Sequence, residues 1–207
     1  NEADQRVDLH RNLIQRWINE NPPGFGNGWE AYPSSLRIVN WIKWSLLGNS
    51  FEQGSLDSLA IQVRYLSSNV ETHLLGNHIF SNAKALLFAG LFFKGKEADY
   101  WYQIGLNIIN KELPEQVLSD GGNFELSPMY HAIFLEDLLD LVNIHQVYNK
   151  RLATDIQSTI LSMFGWLKTM CHPDGEISFF NDSAIGIAQS LKELLEYGKR
   201  LNITCAN

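Results

Sequence analysis

Three short stretches concentrate the side chains that could do chemistry, and each stands where a helix is about to begin. Backbone N–H groups in a helix's first turn lack intrahelical partners, so they can hold anions or carbonyl oxygens. The first stretch is Asn27-Gly28-Trp29-Glu30-Ala31-Tyr32 with the helix after it. In that helix Arg37, Asn40, Trp41 and Trp44 fall at i, i+3, i+4 and i+7, so they share a face. Arg and Asn beside two Trp in an otherwise apolar helix suggest a wet cleft. A buried Arg37–Glu30 pair among core indoles fits the same pattern equally well.

The second stretch runs from His73 to Lys84. Asn77, Ser81 and Lys84 share one helical face, and His78 and Asn82 form a neighbouring i, i+4 pair. A lone His is more often a satisfied structural residue than a reactive one. A metal site built on His73 and His78 would need a third ligand that the sequence does not mark, so no metal is assigned.

The third stretch is Asp120-Gly121-Gly122-Asn123-Phe124-Glu125-Leu126-Ser127-Pro128-Met129-Tyr130-His131. Asp-Gly-Gly makes a tight turn, and Pro128 stands near the first position of a helix. Tyr130 and His131 then lie in the first turn, where the positive helix end favours phenolate and predicts a lowered tyrosine pKa. From spacing alone, a capping loop with a buried Tyr130 hydroxyl is the simpler reading.

The elements that must position these groups are helices. Apolar periodicity predicts them over about 4–20, from Ser34 or Ser35 to Gly48, 55–75 stopped by Gly76, 78–94, 96–112, 129–147, 150–171 and 188–201. His172–Asp182 reads as a turn with a short extended segment, and no convincing sheet is found. Short connections favour antiparallel neighbours in one all-α domain over residues 1–207, with no fixed-period repeat.

Composition narrows the function. Of the 207 residues 45% are hydrophobic, 19% charged and 12% aromatic, which allows a large core or an aromatic-lined cleft. A net charge of −7 argues against a nucleic-acid surface. No apolar run approaches the ~20 residues of a membrane span, and no signal peptide is visible. Cys171 and Cys205 fit one disulfide or two thiols. Phosphate-cradling glycine loops, a nucleophile elbow and a zinc-protease helix are absent, and no cofactor is assigned.

The stretches GWEAYPSSLRIVNWIKW, HLLGNHIFSNAKALLFAGLFF, DGGNFELSPMYH and ISFFNDSAIGIA resemble, in this order, the helical domain of heparinase II/III-like polysaccharide lyases. The resemblance covers roughly residues 10–203. It implies an incomplete α/α toroid of antiparallel helical hairpins, followed in the family by a β-sandwich domain. It also implies β-elimination of a glycosidic bond beside a uronic acid in an acidic polysaccharide. Tyr130, in SPMYH, corresponds to the tyrosine that serves as acid and base. Asn77, in GNH, corresponds to the residue that neutralises the uronate carboxylate, with His78 as the fallback. Arg37, Lys84 and the Trp residues are assigned from composition to hold acidic sugars, and Trp29, Glu30, Asn40, Glu125 and His131 complete the substrate-binding candidates.

Nothing after residue 203 reads as a β-sandwich, the part that in the family closes the groove and supplies a catalytic histidine. The resemblance therefore implies a fragment with little activity alone, partnered by acidic polysaccharide and by the missing domain. A periplasmic or secreted location follows from the substrate class. Two other readings compete. One is a toroid glycoside hydrolase using Glu125 and Asp182, which must then stand ~5–10 Å apart. The other is a non-catalytic carbohydrate-binding domain.

Overall fold

A computed structural model describes residues 2–74, 76–152 and 156–204. Among these residues the regular elements are helices, with isolated antiparallel bridges at Val117–Asn123 and Cys171–Ile177 in place of an extended strand. The all-α class read from the sequence is therefore the observed one. The helices are α1 (Glu2–Glu20), α2 (Ala31–Leu46), α3 (Gln53–Ser68), α4 (Asn77–Phe92), α5 (Lys96–Gln116), α6 (Pro128–Val147), α7 (Ile156–Thr169) and α8 (Leu191–Arg200), with a 3-10 turn at Asn27–Trp29. The chain divides into two compact units, Asn1–Leu106 and Asn107–Asn207.

In the first unit α2 packs on α3 and α4, burying Ile38, Val39, Trp41 and Ile42. Full burial of each aliphatic side chain contributes about 1.5–3 kcal/mol. Helix α4 is buried continuously from Ile79 to Leu91, Ser81, Asn82 and Lys84 included. A Cβ on Gly105 would lie 2.7 Å from the Ala83 carbonyl, so α5 meets α4 backbone to backbone there. In the second unit α6 packs on α7 and α8 around Leu135, Leu138, Leu139, Ile160 and Met163. Tyr197 of α8 donates to Asp140 (2.9 Å) and accepts from Asn143 (2.9 Å), which pins α8 on α6.

Several boundaries differ from the periodicity, each for a local reason. Helix α2 begins at Ala31, and Ser34 and Ser35 are buried inside it rather than capping it; Ser35 Oγ donates to the Ala31 carbonyl (2.8 Å). Helix α3 stops at Ser68, because Ser67, Ser68 and Asn69 side chains donate to the carbonyls of Arg64 and Tyr65. Gly76, at φ 88°, caps the start of α4 instead of stopping α3. Helix α5 continues to Gln116 through Pro114, which sits in its last turn. Residues 150–152 lie outside α7, and α8 starts at Leu191 behind a Ser190–Glu193 capping box. Cys205, and with it the disulfide alternative, lies outside the described residues. Among them no helix is long and apolar enough to cross a membrane, and no group of three His, Cys, Asp or Glu is placed to hold a metal.

Candidate active site

The candidate residues fall in two clusters, one per unit, each at the start of a helix. In the first unit Asn77 and His78 occupy the first turn of α4, both partly exposed. The His78 ring stacks on Tyr32 (centroids 4.4 Å apart, 20° between planes). Its Nδ1 faces Glu71 Oε2 at 3.4 Å, an ion-pair distance once the ring is protonated but outside hydrogen-bond geometry. Glu71 is itself held by Asn82, whose Oδ1 accepts from the Glu71 N–H (2.9 Å) and whose Nδ2 donates to Glu71 Oε2 (3.3 Å) and Ser35 Oγ (3.0 Å). Asn82 is fully buried, so it builds the loop before α4 rather than facing a ligand. Ser81 and Lys84, on the face read as shared with Asn77, are buried as well.

Arg37 is bound inside the unit. Its Nε donates to Gln62 (2.7 Å), one Nη to the Gly28 carbonyl (2.7 Å) and the other to Ser34 Oγ (3.1 Å), and the guanidinium lies 3.7 Å over the Trp17 ring. Trp17 in turn packs against Trp29 and Trp41, both buried. Burial lowers the Arg37 pKa to about 10. The face read as a wet cleft is thus an arginine-capped aromatic cluster, and Gln62 and Trp17 fill the place given to Glu30. Glu30 is exposed at the N-terminal end of α2, and Asn40 is exposed too. Trp29 is a core residue with no surface to offer a sugar.

In the second unit the Asp120–Ser127 loop is built around His131. A Cβ on Gly121 would meet the Ser162 carbonyl at 2.5 Å, and one on Gly122 would meet Trp166 Nε1 at 2.7 Å, so only glycine lets the turn lie flush on α7. Asp120 Oδ1 accepts from the Gly122 N–H (2.9 Å) and shapes the turn. His131 is fully buried and stacked on Trp166 (4.4 Å). Its Nδ1 accepts from the Asn123 N–H (3.1 Å), so Nε2 carries the hydrogen and donates to the Met163 carbonyl (3.0 Å). Burial pushes its pKa down to about 4 and keeps it neutral. His131 is a scaffold residue, not a sugar contact.

Ser127 caps α6 through the Tyr130 N–H (3.2 Å), with Pro128 at the first position as read from the sequence. Residues far along the chain join it. Asn181 Nδ2 donates to the Leu126 carbonyl (2.7 Å), Ser127 Oγ donates to the Asp182 carbonyl (2.9 Å), and Ser183 Oγ meets Ser127 Oγ (3.0 Å). The motifs DGGNFELSPMYH and ISFFNDSAIGIA thereby form one surface. Tyr130 is partly exposed on it. Its pKa is raised, first by burial and then by the negative charges of Asp182 and Glu125. This is opposite to the sequence expectation: burial first, and then two nearby carboxylates, oppose the phenolate, and Tyr130 is a phenol at neutral pH. Glu71, Ser127 and Ser183 were not singled out from the sequence. Their roles are contacts to remote segments, which spacing does not display.

The geometry has known counterparts. The heparin-sulfate lyase of Bacteroides stercoris is 33% identical over 124 residues, 58% of this chain and 18% of that protein. That of Pedobacter heparinus is 29% identical over 188 residues, 82% of this chain and 28% of that protein. The chain thus spans less than a third of the length of either lyase. A crystal structure of heparinase III superposes with a TM-score of 0.78 at 20% identity, over 97% of this chain and 33% of that one, and shows the fold. The heparan sulfate lyase HepC of Pedobacter heparinus gives a TM-score of 0.63 at 29% identity, over 84% of this chain and 30% of that one. Residues 14–201 match the Heparinase II/III N-terminus family, and the chain belongs to that family.

Proposed function

We propose that this chain supplies the helical part of a polysaccharide lyase that cleaves uronic-acid-containing polysaccharide by β-elimination. The observation that carries the reading is Tyr130, a partly exposed phenol on the first turn of α6, beside the Asp182 segment that Ser127 holds to that turn. In β-elimination a base removes the proton alpha to the uronate carboxylate. The electron pair forms a carbon–carbon double bond, and the glycosidic oxygen leaves and must be protonated. A phenol held neutral is a suitable donor to that oxygen, because the leaving alkoxide is the stronger base. The base role also read for Tyr130 requires it to lose its proton first, so the structure favours the donor role.

Stabilising the anion formed at the uronate needs donors aimed at its carboxylate. We assign that role to Asn77 and His78, in the first turn of α4, on the family resemblance of the motif that carries them. Arg37, Trp29, Lys84 and His131 serve by holding the two clusters in shape. The names of the relatives put heparan sulfate first among substrates to test, and we propose, from that substrate class, that the protein works in the periplasm or outside the cell.

The test is ultraviolet detection of the unsaturated product, using the complete natural protein and heparan sulfate, with other uronate polymers in parallel. Tyr130→Phe is expected to lower kcat by about 10²-fold or more. Cleavage without an unsaturated product, lost in Glu125→Ala and kept in Tyr130→Phe, would instead establish hydrolysis by the Glu125–Asp182 carboxylates. Binding without cleavage would establish a carbohydrate-binding role.

A further inference from the structure

We propose that Asp182 is a positioning residue for Tyr130: its carboxylate accepts the phenolic hydrogen and fixes the direction of the hydroxyl until a sugar oxygen replaces it. The catalytic meaning of this inference rests on the lyase reading; its geometry does not. Asp182 lies in an exposed segment outside any helix, where a carboxylate ordinarily stays hydrated and samples several rotamers. Here three consecutive residues are fastened to the segment that starts α6. Asn181 holds the Leu126 carbonyl (2.7 Å), the Asp182 carbonyl is held by Ser127 (2.9 Å), and Ser183 meets Ser127 (3.0 Å). Ser183 Oγ also accepts from the Met129 N–H (3.4 Å), one residue before Tyr130. The backbone that carries the carboxylate is therefore fastened to the turn that carries the phenol before substrate arrives.

Two titratable groups face the Tyr130 hydroxyl, Glu125 from the loop before α6 and Asp182 from the segment after α7. Both oppose the phenolate by charge, Asp182 more than Glu125. A neutral, directed phenol is ready to donate. Without Asp182 it would turn freely and ionise earlier as the pH rises.

The decisive measurement is a tyrosinate absorbance titration of the complete protein, with Tyr130 isolated by difference against Tyr130→Phe. It is run in wild type, D182N, D182E and E125Q. The Tyr130 midpoint is expected to move to lower pH in D182N, to stay near wild type in D182E, and to move less in E125Q than in D182N. The alkaline limb of kcat/KM should follow the same order. D182N keeps the backbone bonds of Asp182, so it should fold; D182S serves as a second charge-removing variant. A folded D182N or D182S with an unmoved Tyr130 midpoint would overturn the proposal, as would destabilisation without any change in titration. If wild type cleaves no uronate polymer, the lyase reading fails, and the titration still decides whether Asp182 positions Tyr130.

Discussion

Ser127 Oγ donates to the backbone carbonyl of Asp182 at 2.9 Å, joining residues 55 positions apart. A serine hydroxyl has one hydrogen, so in the contact with Ser183 it is Ser183 that donates, at 3.0 Å. The Tyr130 N–H donates to the same oxygen at 3.2 Å. One atom therefore begins α6 and ties the Asp182 segment to it. Ser127→Ala should cost about 2 kcal/mol, the sum of a lost cap and lost buried hydrogen bonds, in urea unfolding. Ser183→Ala should cost less, because Ser127 keeps its cap and its bond to Asp182. Equal losses would deny Ser127 the capping part of its role.

His131 gives the second unit a pH dependence of definite sign. Its pKa is about 4 when folded, against the ordinary ~6.5 in an unfolded chain. Between those values the unfolded chain binds a proton that the folded one refuses. Stability from this residue is therefore complete above pH 6.5 and is lost as the pH falls toward 4, by about 3 kcal/mol in all. His145, also lowered by burial, adds in the same direction. Unfolding free energies measured across this window should flatten in His131→Gln, which retains a donor and an acceptor but cannot take up the proton.

Gly121 has no room for a methyl group. Its φ of 88° is unfavourable for any side chain, and the Ser162 carbonyl stands 2.5 Å from the place of a Cβ. Gly121→Ala is expected to destabilise by about 2–4 kcal/mol through combined backbone strain and overpacking. Gly165, in α7 with open space at its Cβ position, is the control, and Gly165→Ala should be neutral or stabilising in thermal melts.

Arg37 should not tolerate lysine. Three donors reach three differently placed acceptors, and the planar group covers Trp17. Lysine offers a point charge and no plane. Arg37→Lys and Arg37→Met should each cost about 2 kcal/mol or more, since both leave Gln62 and the Gly28 carbonyl without their partner. Near-wild-type stability of the lysine variant would show that charge alone is what the cluster needs.

Much of this was legible in the sequence, and the failures share a cause. The start of α6 at Ser127-Pro128 is a local signal, and it is found where Pro128 placed it. The two-motif surface at Tyr130 was legible only as a family pattern, because the bonds from Asn181 and Ser183 to Leu126 and Ser127 span more than fifty residues. The direction of the Tyr130 pKa was misread for that reason. The helix end is visible in the local sequence, whereas the burial of Tyr130 and the approach of Asp182 from a distant loop are set by the fold. Arg37 failed in the same way: helical spacing showed its own face, but not Trp17 and Gln62, which come to it from α1 and α3. The end of α3 was missed on smaller grounds, since Ser67, Ser68 and Asn69 can sit in a helix or turn back on it, and here they turn back.

A single uncharged imidazole joins the Asp120–Asn123 turn to the Met163 carbonyl. A proton on that ring replaces the acceptor used by the Asn123 N–H with a second donor, and at the same moment brings charge into the core. The turn then loses its hydrogen-bonded link to α7, while the leucine contacts between α6 and α7 are untouched. Acid therefore works on this unit as on a latch. The Asn123 amide, which loses its acceptor, is expected to exchange with solvent ahead of the amides of the helices beneath it as the pH falls toward 4.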